Sequence, residues 1–366
     1  MKTHKHLYPK ITSFDNLYLA FKAARKGKRA RPDIAEFEFN LEENLLNLQN
    51  ELQAETYSPG KYHNFRINDP KPRLISAAPF RDRVAHHALC RVIEPLFDIR
   101  FIDDSYACRK GKGTHAAVDR AQEFSGKYPY VLKCDIVHFF PHMDHQFLYQ
   151  QFPRVIADAQ TLRLCKLILD SGADIHKDVE PAYFAGDDLF TAIRPHGLPI
   201  GNLTSQFWAN VYLNPLDHFI KRELKCPAYV RYVDDFLLFS KNKNDLHAWR
   251  LAIIQFLSTQ RLTLHEKEAQ VFPTQTGIPF LGWGVYPDHL RLKRRNGVAF
   301  QRRFATLRRR LQHGTVTRKK MNASVQGWIA HVQHGQTWGL RRSLLSSTIL
   351  PLFPVLENVG RAGMGA

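Results

Sequence analysis

Over the first fifty-odd residues apolar positions return every three to four residues, the period of a helix that buries one face. Residues 13–26 carry such a stripe behind Ser13, a good acceptor for the first free backbone N–H groups, and the basic run Arg25 to Arg31, with Gly27 and Pro32, ends it. Asn40 followed by Leu41, Leu45, Leu48 and Leu52 predicts a second helix over 40–54. The pattern then changes. Residues 60–83 read as an extended basic hairpin around Asn68-Asp69-Pro70, and 84–97 return to helical period. The adjacent His86 and His87 in that helix read as core packing or a helix face, because no third ligand falls at metal-binding spacing. Two segments read as buried strands that end in acids, Tyr130 to Asp135 and Tyr229 to Asp235, the second running on into Phe236 to Ser240. Between them lie helical stretches at 144–152 and 158–170, an acid-bearing loop at 171–190, a Gly-Leu-Pro-Ile-Gly run from 197 to 201, and an amphipathic helix from Ser205 to Leu224. Strands alternating with helices predict an α+β fold.

Charge sharpens this picture. The 366 residues carry 52 Lys+Arg against 34 Asp+Glu, a surplus of +18, so the expected partner is a polyanion, nucleic acid before a membrane surface. With 44% hydrophobic residues the chain can bury a full core, which excludes a disordered chain. Its five cysteines lie far apart with no C-x-x-C pair, which excludes a disulfide framework or a structural zinc site and predicts a reducing, cytoplasmic setting. No window reaches the length of a membrane span, and no signal peptide is expected. Residues 291–342 hold fourteen Lys/Arg and no acid. There Phe300, Phe304, Leu307 and Leu311 share one helix face and leave Arg308, Arg309 and Arg310 to meet phosphates. A frayed tail is expected from Asn358 to Ala366.

The acids carry the chemistry. Asp234 and Asp235 interrupt an apolar run, where two charges escape burial only at a hairpin turn; Asp135 ends another apolar strand in the same way. Were those strands neighbours, three carboxylates would converge at one sheet edge. Their mutual repulsion calls for hard divalent cations, Mg²⁺ or Mn²⁺, and a pair of such ions suits phosphoryl transfer on nucleic acid.

On these residues the chain resembles reverse transcriptases. Tyr232-Val233-Asp234-Asp235 is similar to their Y-x-D-D signature, Asp135 with Phe139-Phe140 to their first catalytic motif, and the G-L-P-x-G run to their template and nucleotide motif. Lys71-Pro-Arg-Leu-Ile, Lys267 and Phe280-Leu-Gly-Trp283 are similar to the fingers, phosphate and primer-grip motifs, and the resemblance covers roughly residues 10–345. It implies a right-hand polymerase fold, with N-terminal helices and fingers at 1–125, a palm at 126–283 interrupted by a fingers segment around 153–195, and a basic thumb and tail at 284–366. Asp135 and Asp234 would ligate two Mg²⁺ or Mn²⁺ ions, Asp235 would support them, and Lys267 would protonate the departing pyrophosphate. Arg73, with Lys71 or Arg66, would hold the triphosphate, and Phe140 would exclude a 2′-hydroxyl, selecting dNTPs. Leu281, Gly282 and Trp283 would grip the primer.

Ile200-Gly201-Asn-Leu-Thr-Ser205-Gln206 is similar to the I-G-x-x-x-S-Q variant of reverse transcriptases from diversity-generating retroelements, and 80–89 and 104–115 resemble the same group. The resemblance places Ile200, Gly201, Ser205 and Gln206 beside the nucleotide, Ile200 standing where relatives usually carry a hydrogen-bonding Gln. It implies a bacterial or phage-encoded cytoplasmic enzyme that is error-prone at template adenines, with template RNA, the RNA/cDNA duplex, dNTPs and a small accessory protein as partners, and no membrane. From Gly284 onward only Asp288 and Glu357 are acidic, too few for an RNase H centre, and no V-T-G triplet or Cys/His nuclease cluster is present. A phage-defence reverse transcriptase is the alternative within the class, and a catalytically silent RNA-binding scaffold the alternative outside it.

Overall fold

A computed structural model describes residues 2–68, 72–180 and 182–349. Asp69, Pro70 and Lys71 of the predicted hairpin and the expected tail from Asn358 lie outside the described residues. The chain forms two units, one of residues 1–117 with 130–271, the other of residues 118–129 with 272–366.

In the first unit the N-terminal helices follow the predicted stripes. Ser13 caps the helix Phe14–Ala24 by accepting from the Asn16 N–H, and Leu17, Ala20 and Phe21 are buried. Pro32 opens a further helix, Pro32–Phe39, that the apolar pattern did not reveal; proline's fixed φ suits a first helical position. The helix Leu41–Gln53 buries Leu45, Leu48 and Leu52, each worth roughly 1.5–3 kcal/mol of apolar transfer. These elements pack on the helix Phe80–Asp98, where Phe21, Phe37 and Phe80 form a ring cluster with centroids 5.2–6.1 Å apart. The basic hairpin is present as β1 (His63–Ile67) and β2 (Arg73–Ala77), antiparallel, with Ile67 opposite Arg73 and Arg66 opposite Leu74.

The two acid-ended strands are neighbours of one strand. β3 (Tyr130–Cys134) and β4 (Ala228–Tyr232) both pair antiparallel with β5 (Asp235–Ser240), which lies between them. β6 (Gln270–Pro273), on which the chain leaves the first unit, follows β3 in the sheet order. Behind the sheet runs the helix Leu203–His218, which starts two residues before Ser205 and passes into a π-helical turn, Phe219–Glu223. Trp208, Tyr212 and Leu213 make it a core element.

The second unit contains the antiparallel strands β7 (Ile278–Phe280), β8 (Trp283–Val285) and β9 (Leu290–Leu292). The basic helix Arg294–Gln312 follows, with helices Arg318–Val332 and Trp338–Ile349. Phe300 and Phe304 form its apolar face with Leu307 and Leu311 packed alongside, and the Phe300 ring stacks on Trp328 at 3.9 Å.

Candidate active site

Strand register brings the three carboxylates together. Tyr232 pairs with Asp235, so Val233 and Asp234 form a two-residue turn between β4 and β5. Cys134 pairs with Phe236, so the same register, carried one residue further, sets Asp135 across from Asp235. Opposed residues of an antiparallel pair share a face with Cβ atoms about 5 Å apart. Burial, then the Asp135 charge, raises Asp234 to about 6, while Arg73 and Lys133 pull the other way. Burial also raises Asp235 to about 6 against the opposing pull of Lys133. Lys133 lies two residues before Asp135, hence on the same face, and its Nζ is 3.1 Å from Asp235 Oδ1. That ammonium is the charge partner of the buried Oδ1.

The turn itself is held under strain. Val233 has φ +58°, a left-handed value that a β-branched residue rarely adopts. A buried network holds it there. Arg231 and Asp217, both fully buried, form a two-pronged ion pair with Nε–Oδ1 and Nη2–Oδ2 at 2.7 Å each. Arg231 Nη1 donates to the Val233 carbonyl at 3.1 Å and to Asn210 Oδ1 at 3.2 Å, Nη2 donates to Ser105 Oγ at 3.0 Å, and the Tyr229 hydroxyl donates to Asp217 at 2.8 Å. None of these positioning residues was evident from the sequence; an arginine inside an otherwise apolar strand was the one available signal.

The Gly-Leu-Pro-Ile-Gly run joins the carboxylate edge to the basic hairpin. At one end Leu198 N–H donates to the Phe140 carbonyl at 2.9 Å and Gly197 N–H to Met143 O at 2.8 Å. At the other, Ser76 N–H on β2 donates to Ile200 O at 2.9 Å. Asn202, 2% exposed, accepts from Ala78 N–H at 3.1 Å and donates to Ser76 O at 2.8 Å; it too was missed by the sequence reading. Gly197, at φ +91°, has no room for a side chain, since a Cβ would lie 2.7 Å from the His176 ring. Of the two adjacent phenylalanines, Phe139 is buried in the core and Phe140 is partly exposed.

The remaining candidates sort by position. Arg73 is near enough to act on Asp234. Arg66, opposite Leu74, lies on the other face of the hairpin, and Lys71 lies outside the described residues. Lys267 is exposed on a turn whose first residue, His265, donates its N–H to the Asp135 carbonyl at 2.8 Å. Ile200 is partly buried, Gly201 has φ +117°, Ser205 is buried with its hydroxyl unpartnered among the described residues, and Gln206 is exposed, 3.7 Å from Cys108 Sγ. In the second unit Leu281 and Gly282, at φ +45° and +90°, form the β7–β8 turn. Trp283 is fully buried beneath it against His331, so the turn, and not the indole, is what a strand can reach. Arg309 and Arg310 are exposed and Arg308 is partly buried.

Residues 66–285 match the family described as reverse transcriptase (RNA-dependent DNA polymerase). The chain belongs to that family. Its acid turn, its Gly-Leu-Pro loop and most of its basic hairpin lie inside the matched segment. It is 23% identical over 341 residues, 77% of this chain, to a putative COX1/OXI3 intron 1 protein of Saccharomyces cerevisiae. It is 25% identical over 182 residues, 49% of this chain, to the group II intron-encoded protein LtrA of Lactococcus lactis. It spans only 38% and 28% of the lengths of these two relatives. Among solved structures, apo telomerase from Candida tropicalis, truncated of its C-terminal domain, aligns with TM-score 0.43 and 11% identity over 67% of this chain and 59% of that one.

Reverse transcriptases generally use divalent metals, and the donor set here fits one. Among the described residues no three or more His, Cys, Asp or Glu side chains are gathered into a group that could by itself hold a metal ion, so a cation at the acid turn would need ligands from its substrate or from water. The acids at the turn supply hard oxygen donors, two of them raised by burial and mutual repulsion, with Lys133 as the one cation paired to Asp235 among the described residues. No helix among the described residues is long and apolar enough to cross a membrane.

Proposed function

We propose that this reverse transcriptase copies an RNA template into cDNA by two-metal phosphoryl transfer, as the polymerase of a diversity-generating retroelement. The observation that carries the catalytic part is the meeting of Asp135, Asp234 and Asp235 at one sheet edge, with Arg73 near enough to act on Asp234. Asp135 and Asp234 would hold two Mg²⁺ ions, with Mn²⁺ as the substitute, and Asp235 would support them. Held by these carboxylates, such ions would supply Lewis acidity for a hydroxyl nucleophile and a phosphate leaving group. Arg73 on β2 neutralises the triphosphate, and Lys267, tethered through His265 to Asp135, donates a proton to pyrophosphate. Phe140 stands beneath the sugar and excludes a 2′-hydroxyl. Fingers, palm and thumb divide the chain, with the turn Leu281-Gly282 and Arg308, Arg309 and Arg310 on the primer and duplex side.

The retroelement assignment rests on Ile200. Its backbone is fixed by Ser76, so its side chain replaces an amide at a set position and offers the nascent base pair neither donor nor acceptor. Losing one hydrogen bond is worth about 1 kcal/mol, about five-fold in selectivity. Two measurements test these readings. Primer extension on RNA with Mg²⁺ and dNTPs should be abolished by Asp135→Ala; synthesis by that variant refutes the catalytic assignment. Sequencing of cDNA from wild type and Ile200→Gln should show errors concentrated at template adenines and lowered by the amide. An accurate wild type would favour a defence-type enzyme instead.

A further inference from the structure

Pro195 to Ile200 belong to no helix or strand, yet Gly197, Leu198 and Pro199 are buried. Backbone carbonyls so placed have given up water and need partners brought from other segments. Histidines supply them. His145 Nε2 lies 2.7 Å from the Gly197 carbonyl, and the His145 backbone N–H donates to Pro195 O at 3.1 Å. His176 Nε2 lies 3.0 Å from the Leu198 carbonyl. His196, on the run itself, reaches the other way, its Nδ1 2.9 Å from the carbonyl of Pro141, the residue after Phe140.

A carbonyl oxygen only accepts, so each of these three ring nitrogens carries a hydrogen and donates. Burial pushes the His145 and His176 rings below the usual imidazole range, against the opposite pull of their carbonyl bonds, which keeps both neutral at neutral pH. Both are 5% exposed. The His176 ring also lies over the Gly197 α-carbon, where a Cβ would come within 2.7 Å of it. One ring therefore bonds Leu198 and fills the space beside the residue before it. His145 opens the short helix His145–Tyr149, whose cap, Asp144, accepts from the Phe147 N–H and pairs with Arg194 at 3.2 Å. The loop is thus gripped from the 139–149 segment and from His176, which follows the helix Ala159–Asp170.

We infer that His145, His176 and His196 are positioning residues that clamp the Gly-Leu-Pro loop against the Phe140 segment and so set nucleotide affinity; the effect on the nucleotide rests on reading Phe140 and the loop as nucleotide contacts. Loop and segment share two backbone bonds, Leu198 N–H to Phe140 O at 2.9 Å and Gly197 N–H to Met143 O at 2.8 Å. Those bonds use the N–H groups of Gly197 and Leu198. Their carbonyls depend on the rings, and without a ring the carbonyl turns toward water and the loop opens at that edge. The rings act through the loop, so what they change is the fraction of molecules whose loop has the binding geometry. Apparent affinity falls with that fraction, while the chemical step in molecules that do bind stays nearly the same.

His176→Leu removes the donor and keeps a buried apolar side chain, whereas His176→Gln keeps a donor, its amide nitrogen standing where Nε2 stands. Two readouts are taken on the full chain. In primer extension on RNA with Mg²⁺, His176→Leu should raise the KM for dNTPs about ten-fold with kcat within about two-fold, and His176→Gln should bring KM back to within about three-fold of wild type. Hydrogen exchange, which needs no synthesis, should show the Gly197 and Leu198 amides exchanging roughly ten-fold faster in the Leu variant and protected again in the Gln variant. His196, only partly buried, carries the same pair of measurements where His176→Leu does not fold: His196→Leu against His196→Asn, whose amide nitrogen stands where Nδ1 stands. Unchanged exchange in a folded Leu variant overturns the clamp, as does a Gln or Asn variant no better than its Leu counterpart. Faster exchange beside an unchanged KM, or beside a wild type that makes no cDNA, upholds the clamp and overturns the nucleotide reading of the loop.

Discussion

Replacing Arg231 with Met tests whether the buried network beneath the acid turn holds the fold and the turn together. Arg231 and Asp217 are both 0% exposed, and the guanidinium makes two bonds of 2.7 Å to the carboxylate. Met fills much of the same volume but leaves the carboxylate charged, dry and, among the described residues, bonded only by the Tyr229 hydroxyl. Removing one partner of such a pair typically costs about 3–5 kcal/mol, since the surviving charge has lost its counter-charge. For a unit of this size each kcal/mol lowers Tm by roughly 2–4 °C, so Arg231→Met should melt roughly 6–20 °C below wild type. The double variant Arg231→Met/Asp217→Asn removes the buried charge and keeps an acceptor for Tyr229; it should recover at least about half of the loss. Primer extension separates the two roles. Even when refolded, the double variant lacks the bond from Arg231 to the Val233 carbonyl, and a loosened turn should slow synthesis at least about ten-fold. A loss below about 1 kcal/mol for the single variant, or a double no more stable than the single, would refute the reasoning.

Three further outcomes are expected. Asp234 and Asp235 are raised to about 6, above their unfolded value of about 4, so protonation favours the fold: without metal, stability should fall as pH rises from about 4 to about 6. Asp234→Asn should flatten that slope and add on the order of 1–3 kcal/mol at neutral pH in metal-free melts, while Mg²⁺ stabilises wild type and not the variant; a pH-independent wild-type Tm would contradict this. Phe140→Ala should raise ribonucleotide incorporation relative to dNTPs in a competition assay, because removing the ring relieves a steric clash, and an unchanged ratio would reduce Phe140 to packing. Neutralising Arg308, Arg309 and Arg310 should weaken RNA and hybrid binding evenly across sequences and lower the salt slope by up to about three phosphate contacts, as followed by filter binding at several salt concentrations.

Much of the site was legible because its elements declare themselves locally. An acid at the end of an apolar strand has to surface at a turn, which is why Asp135, Asp234 and Asp235 could be named before their strands were known to share β5. The amphipathic stripe of Phe300, Phe304, Leu307 and Leu311 likewise fixed which face of the basic helix is buried. Arg231, Asp217 and Asn202 escaped notice because their roles are pairings across 14 to 126 positions of sequence, and no local pattern encodes a partner that distant. His86 shows the same limit in reverse. Its helix period assigned it correctly to the interior, but its ring nitrogens have no hydrogen-bond partner among the described residues, because that depends on what the other elements bring to it. The sequence by itself determined the type of most elements, their buried faces, the sign of the charge and the candidate acids, since each follows from side-chain periodicity and composition. Strand register, the strained Val233 turn, the stitching of the Gly-Leu-Pro loop to β2 and the histidine bonds to that loop were decided only in the tertiary structure, because they arise from contacts between segments whose separation only folding removes.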